Sequence, residues 1–139
     1  MQINVCKTVI IKGEEIKFSF VLFEVDAQHL LLGPDFYRDF GYIPKGMHHE
    51  IEILTPVWLD ENRDRIHFFT STRNGRRFIC YPRPIETLDK AMEILSVWCV
   101  GTAFTLKTGI DFQNIESLKV GRIEFFQEMD EKHQVRLVA

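Results

Sequence analysis

Only one stretch of this chain keeps a helical period over several turns: Thr87 to Gly109, TLDKAMEILSVWCVGTAFTLKTG. Leu88, Met92, Leu95, Cys99, Thr102 and Leu106 alternate steps of four and three, so they fall on one helix face. Ala91, Ile94, Trp98 and Thr105 form a second row beside it, and Val97, Val100 and Phe104 make the middle apolar all round. Such a helix must be covered on most sides, which restricts what the remaining chain can build. Its ends are marked locally. Thr87 can accept from the first free amides, Asp89 suits the positive end of the helix dipole, and Gly109 with Lys107 supplies the stop. About 20 residues rise roughly 30 Å, the diameter of a small domain. The apolar run Ile94 to Phe104 is short of the roughly 20 residues that a membrane span needs.

The cover has to come from strands. Residues 2–12 and 15–25 are β-rich runs divided by Gly13 and Glu14, which predicts a hairpin. Ile3, Val5, Val9 and Ile11 share one face of the first strand, and Ile16, Phe18, Phe20 and Leu22 share one face of the second. Val21, Phe23 and Val25 occupy the other face, so the second strand is expected to be covered on both sides. Asp26 is placed to cap a short helix over Ala27 to Leu32, stopped by Gly33 and Pro34. Glu50 to Leu59 alternates, with Ile51, Ile53, Val57 and Leu59 on one face, and Pro56 makes it an edge or bulged strand. Arg65 to Thr72 and Arg77 to Pro82 flank Asn74-Gly75, which predicts a hairpin with a tight primed turn. After the helix, Ile110 to Ser117 reads as a connector. Leu118 to Gln127 and Gln134 to Val138 read as a last strand pair around the acidic turn Met129 to Lys132.

Strands before and after one helix, without regular alternation, give an α+β fold: an antiparallel sheet of about six or seven strands wrapped around one long central helix over about 87–108. A length of 139 residues, 45% hydrophobic and 27% charged, fits one domain across 1–139. Met1 to Ile11 alternates, without the basic start and long apolar stretch of a secretion signal, so the expected location is cytoplasmic and no membrane partner is expected. Cys6, Cys80 and Cys99 are odd in number and widely spaced, which indicates neither a disulfide framework nor a cysteine zinc site. His48 and His49 lie beside Glu50 and Glu52, but neighbours on a strand point to opposite faces, and no metal site or cofactor is expected.

Charge is uneven. Between Asp60 and Arg83, six arginines (63, 65, 73, 76, 77 and 83) face three acids, a local +3 that leaves −6 for the rest of a chain whose net charge is −3. Arginine suits planar contacts with carboxylate or phosphate, and His67, Phe69, Phe78 and Tyr81 are interleaved with it. The segment Pro34 to His49 has no period of its own and carries Phe36, Tyr37, Phe40 and Tyr42 among Gly41, Pro44 and Gly46. It is either a binding loop or a plug of aromatics in the core. Asp39-Phe40-Gly41 matches a kinase metal-binding tripeptide without any companion motif and carries no weight.

These features favour a non-enzymatic interaction module, of inhibitor, immunity or adaptor type. It would bind a protein partner through Arg73, Arg76, Arg77 and Tyr81 on the hairpin and Phe36, Tyr37 and Tyr42 in the loop. No catalytic residue is assigned. Self-association is expected through the edge strand Ile51 to Leu59 or an uncovered side of the helix. One alternative is a nucleic-acid binder using the 65–83 basic hairpin. Another is a small enzyme with a site under 34–49, where His48 or His49 would lie near Asp35 or Asp39.

Overall fold

The computed structural model describes residues 1–42, 44–54 and 58–138. Its strands are β1 (Gln2–Ile11), β2 (Glu14–Val25), β3 (His48–Ile53), β4 (Phe69–Thr70), β5 (Arg77–Phe78) and β6 (Val135–Leu137). They form one antiparallel sheet in the order β4-β5-β3-β2-β1-β6. Helices α1 (Pro34–Asp39), α2 (Trp58–Glu61), α3 (Leu88–Thr108) and α4 (Arg122–His133) complete an α+β architecture. Among the described residues no helix is long and apolar enough to cross a membrane.

The long helix follows its local chemistry. The Thr87 hydroxyl accepts from the Lys90 amide at 3.1 Å, and Gly109, at φ 77°, closes the last turn by donating to the Thr105 carbonyl. The inner face of α3 lies on the sheet. Val9 and Ile11 of β1, Phe18, Phe20 and Leu22 of β2, and Ile51 and Ile53 of β3 are buried with Leu95, Trp98, Cys99 and Phe104. Trp98 sets its ring edge-on to Phe18 and Phe20, with centroids 5.8 and 5.7 Å away, and its indole N–H donates to the His67 carbonyl. Gly101 is a close approach: a Cβ there would come within 2.5 Å of the Phe112 ring.

Several local expectations are corrected. Glu50 to Leu59 is not an edge strand: β3 stops at Ile53 and lies between β2 and β5, while Trp58 to Glu61 is helical. Pro56 and Val57 lie outside the described residues. The alternation of acid and isoleucine in β3 imitates a half-exposed strand, yet all six residues are buried because both glutamates have partners on the outer face. Leu118 to Gln127 is not a strand either. A 3-10 turn over Glu116–Lys119 leads into α4, whose Phe125 and Met129, four residues apart, point inward and leave Ile123 outside. The supposed acidic turn at 129–132 is the end of that helix.

The turns differ as well. The β1–β2 hairpin turns at Lys12-Gly13, with Ile11 opposite Glu14, and both turn residues have positive φ, 51° and 83°. The Asn74-Gly75 loop is longer than a primed turn. The Gly75 amide donates to the Ser71 carbonyl, Gly75 has φ 72°, and Asn74 keeps a negative φ while its side chain accepts from the Arg76 amide. No helix forms over Ala27 to Leu32. There Asp26 accepts from the Gln28 amide at 2.8 Å and from His29, closing a turn.

Candidate functional site

Residues 26–42 cross the outer face of the sheet at its β3 and β5 end. Gly33, at φ 89°, brings the chain against the stem of Arg73, where a Cβ would come 2.9 Å from Cδ. Helix α1 then drops Phe36 and Tyr37 onto the sheet, where they pack with Leu32 and Phe78 as a second apolar cluster. Phe36 stacks edge-on with Tyr37, Phe40 and Phe69.

Beneath this cluster lies a chain of polar groups. Glu50 is 1% exposed, and its carboxyl accepts from the amides of Leu31 (2.7 Å) and Leu32 (3.3 Å) and from the Tyr37 hydroxyl. The same hydroxyl is 2.9 Å from His48 Nε2. Since its one proton goes to Glu50, it accepts from His48, which puts an imidazole proton on Nε2. His48 is 3% exposed, and Nδ1 has no partner among the described residues. Burial, then the field and hydrogen bond of Glu50, hold the Tyr37 phenol far above its ordinary range, so it stays a neutral donor. Burial and Glu50 also push Tyr42 up to about 12.

His48 is part of the wall of an open groove of about 580 Å³ that runs between Tyr42, Pro44 and Met47 on one side and Pro82 to Pro84 on the other. Lys45 and Arg83 line it, neither in an ion pair among the described residues, against one acid, Glu86. Met47 is 54% exposed there. Directly under α1, by contrast, the space is filled, with a residual cavity of about 10 Å³. Asp35 pairs with Arg38 on the surface and Asp39 is exposed, so neither approaches His48. His48 and His49 face opposite sides of the sheet. His49 turns its Nδ1 to the Ile85 carbonyl at 3.1 Å.

The hairpin arginines have separate employments. Arg76 grips Glu52 with two bonds, at 2.7 and 2.6 Å, and lies 5.3 Å from the Phe23 ring centroid and 5.8 Å from that of Phe78. The hydrogen bond to Glu52 raises its pKa. Arg77 forks onto Asp60, holding that carboxyl below its usual range. Arg73 is exposed and its guanidinium has no carboxylate among the described residues. The loop carrying it is stapled to residues 31 and 32: the Ser71 hydroxyl and the Asn74 amide group donate to the Leu31 carbonyl, at 3.3 and 3.1 Å.

Of the seven residues singled out from sequence, Phe36 and Tyr37 are thus buried, Arg76 and Arg77 are occupied by carboxylates, and Arg73 and partly exposed Tyr42 and Tyr81 remain accessible. Tyr81 belongs elsewhere. It packs against the inner core and lines a cavity of about 250 Å³ with His67, Ile94, Val97 and Phe112. Cys80 is on the same wall, and burial raises its thiol to about 11, which disarms it as a nucleophile. Sequence reasoning missed Lys45, Met47 and Arg83 as one groove. The Pro82-Arg83-Pro84 and Pro44-Lys45-Gly46 triplets were its only trace in the sequence. The chain matches no protein-family model, no curated protein and no solved structure.

Proposed function

We propose that this protein is an interaction module that takes an acidic segment of a protein partner into the groove between Tyr42–His48 and Pro82–Glu86. The observation carrying the reading is the pairing state of the cations. Arg76 and Arg77 are paired with carboxylates of the chain itself, while Lys45 and Arg83 line a concave surface without ion-pair partners among the described residues, next to exposed Met47. Proline and aromatic walls offer apolar area at small entropic cost. Arg73 and Tyr42 extend the contact surface. Phe36, Tyr37, Arg76 and Arg77 act as its frame.

The test is retention of partners from a cell extract by immobilised protein, with and without nuclease. Nuclease-resistant retention of a defined protein that the Lys45→Glu, Arg83→Glu double variant loses is the expected result. Retention unchanged by the double variant overturns the reading, and retention lost to nuclease favours a nucleic-acid partner instead.

A further inference from the structure

Three backbone hydrogen bonds fix which way β1 faces. The Lys12 amide donates to the Gln134 carbonyl (3.1 Å) and the Val138 amide donates to the Thr8 carbonyl (2.9 Å), so even-numbered residues of β1 turn their N–H and C=O toward the β6 side. The Glu24 amide donates to the Met1 carbonyl at 3.0 Å, which sets the odd-numbered residues against β2. Strand β6 pairs only with Val9 to Ile11. Gln2, Asn4 and Cys6 therefore aim their backbone groups at an edge that no strand occupies among the described residues.

That edge is long and carries few of the devices that keep edges apart. It has no proline, it pairs with β2 residue for residue without a bulge, and Lys7 is the one charged side chain from Gln2 to Lys7. On the helix side it is bordered by an open groove of about 720 Å³ along Lys7, Met92, Ser96, Phe126 and Leu137, which leaves room for an incoming strand.

The geometry points to a homodimer in which β1 of a second copy pairs antiparallel along this edge, with the two-fold axis at Asn4. This register sets Asn4 against Asn4 of the second copy and Gln2 against Cys6, three facing pairs that exchange about six backbone hydrogen bonds. An axis at Val5 sets Gln2 against Thr8, whose carbonyl already accepts from Val138, and an axis at Ile3 leaves Cys6 unpaired. The chosen register also places Ile3 opposite Val5 on the helix side, apolar on apolar, and sets Lys7 opposite Met1 rather than a second lysine. Such a contact is isologous and closes on itself.

Sedimentation of the full chain over a concentration series is the test. The wild type is expected to be a dimer. Asn4→Pro, which removes an amide that faces the open edge and leaves the β2 ladder intact, is expected to weaken the dimer about 30-fold at an unchanged melting temperature of the dilute, monomeric chain. Position 4 faces itself across the two-fold axis in this register, so Asn4→Cys combined with Cys6→Ser is expected to crosslink through position 4 with a short bifunctional thiol reagent. The crosslink also decides the matter if the proline variant fails to fold. A monomer at every concentration, a dimer indifferent to Asn4→Pro, or a dimer that does not crosslink overturns the assignment.

Discussion

On the helix side of the sheet, Phe18, Phe20, Ile51 and Ile53 meet Leu95, Trp98 and Phe104 in a core whose polar members include Thr102 and Thr105. On the other side of the same strands, Leu32, Phe36, Tyr37 and Phe78 cover His48, Glu50 and Glu52, and what fixes them is a set of directed bonds: Leu31 and Leu32 to Glu50, Tyr37 to Glu50, His48 to Tyr37, Arg76 to Glu52. The first face is held by area and tolerates no large void. The second is held by partners and weakens with each one removed. The inner face builds the fold, and the outer face fixes residues 26–42 and the wall of the groove.

Damage to the two faces should therefore differ in kind as well as size. The largest effect is expected for Trp98→Ala, about 3–5 kcal/mol, read as a lowered melting temperature with every probe falling together. Glu50→Ala follows at about 3 kcal/mol, since it strands two amides and a phenol. Its signature is new protease cleavage within 26–42 while the inner core stays folded. Uniform loss of structure in that variant would erase the distinction between the faces. Arg76→Lys keeps the charge but not the fork, and about 1 kcal/mol is expected in a denaturant titration.

Stability also depends on pH. Burial lowers the pKa of His67, so the unfolded chain takes a proton from about 6.5 downward before the folded one does, and stability falls as pH drops through that range. Burial raises Cys80 from 9.0 to about 11, so the unfolded chain ionises first and stability falls as pH rises through that window. Melting temperature against pH should show both slopes, and Cys80→Ser should flatten the alkaline one. Burial raises Cys99 in the same sense, so a residual slope remains.

The helix-side face was legible in the sequence because burial there follows period. Alternation in Phe18, Phe20 and Leu22 and the row through Leu95, Cys99 and Thr102 mark the faces that meet. The outer face was not, because its signal is a partner rather than a pattern. Glu50 and Glu52 look solvent-facing until the amides of residues 31 and 32 and the fork of Arg76 are brought to them across the sheet. Pro56, read as part of the same strand, turned a buried central strand that stops at Ile53 into an expected edge. Ile123-Glu124-Phe125 misled in the opposite way, a three-residue alternation inside a segment whose burial runs at a spacing of four.

Hydrogen exchange at the amides of Leu31 and Leu32 bears most directly on the division between the faces. Both should be protected in the wild type and lose at least about tenfold in protection in Glu50→Gln, while Leu95 and Cys99 of α3 keep theirs. Unprotected amides at 31 and 32 in the wild type, or an equal loss along α3, would show that Glu50 does not hold this segment to the sheet.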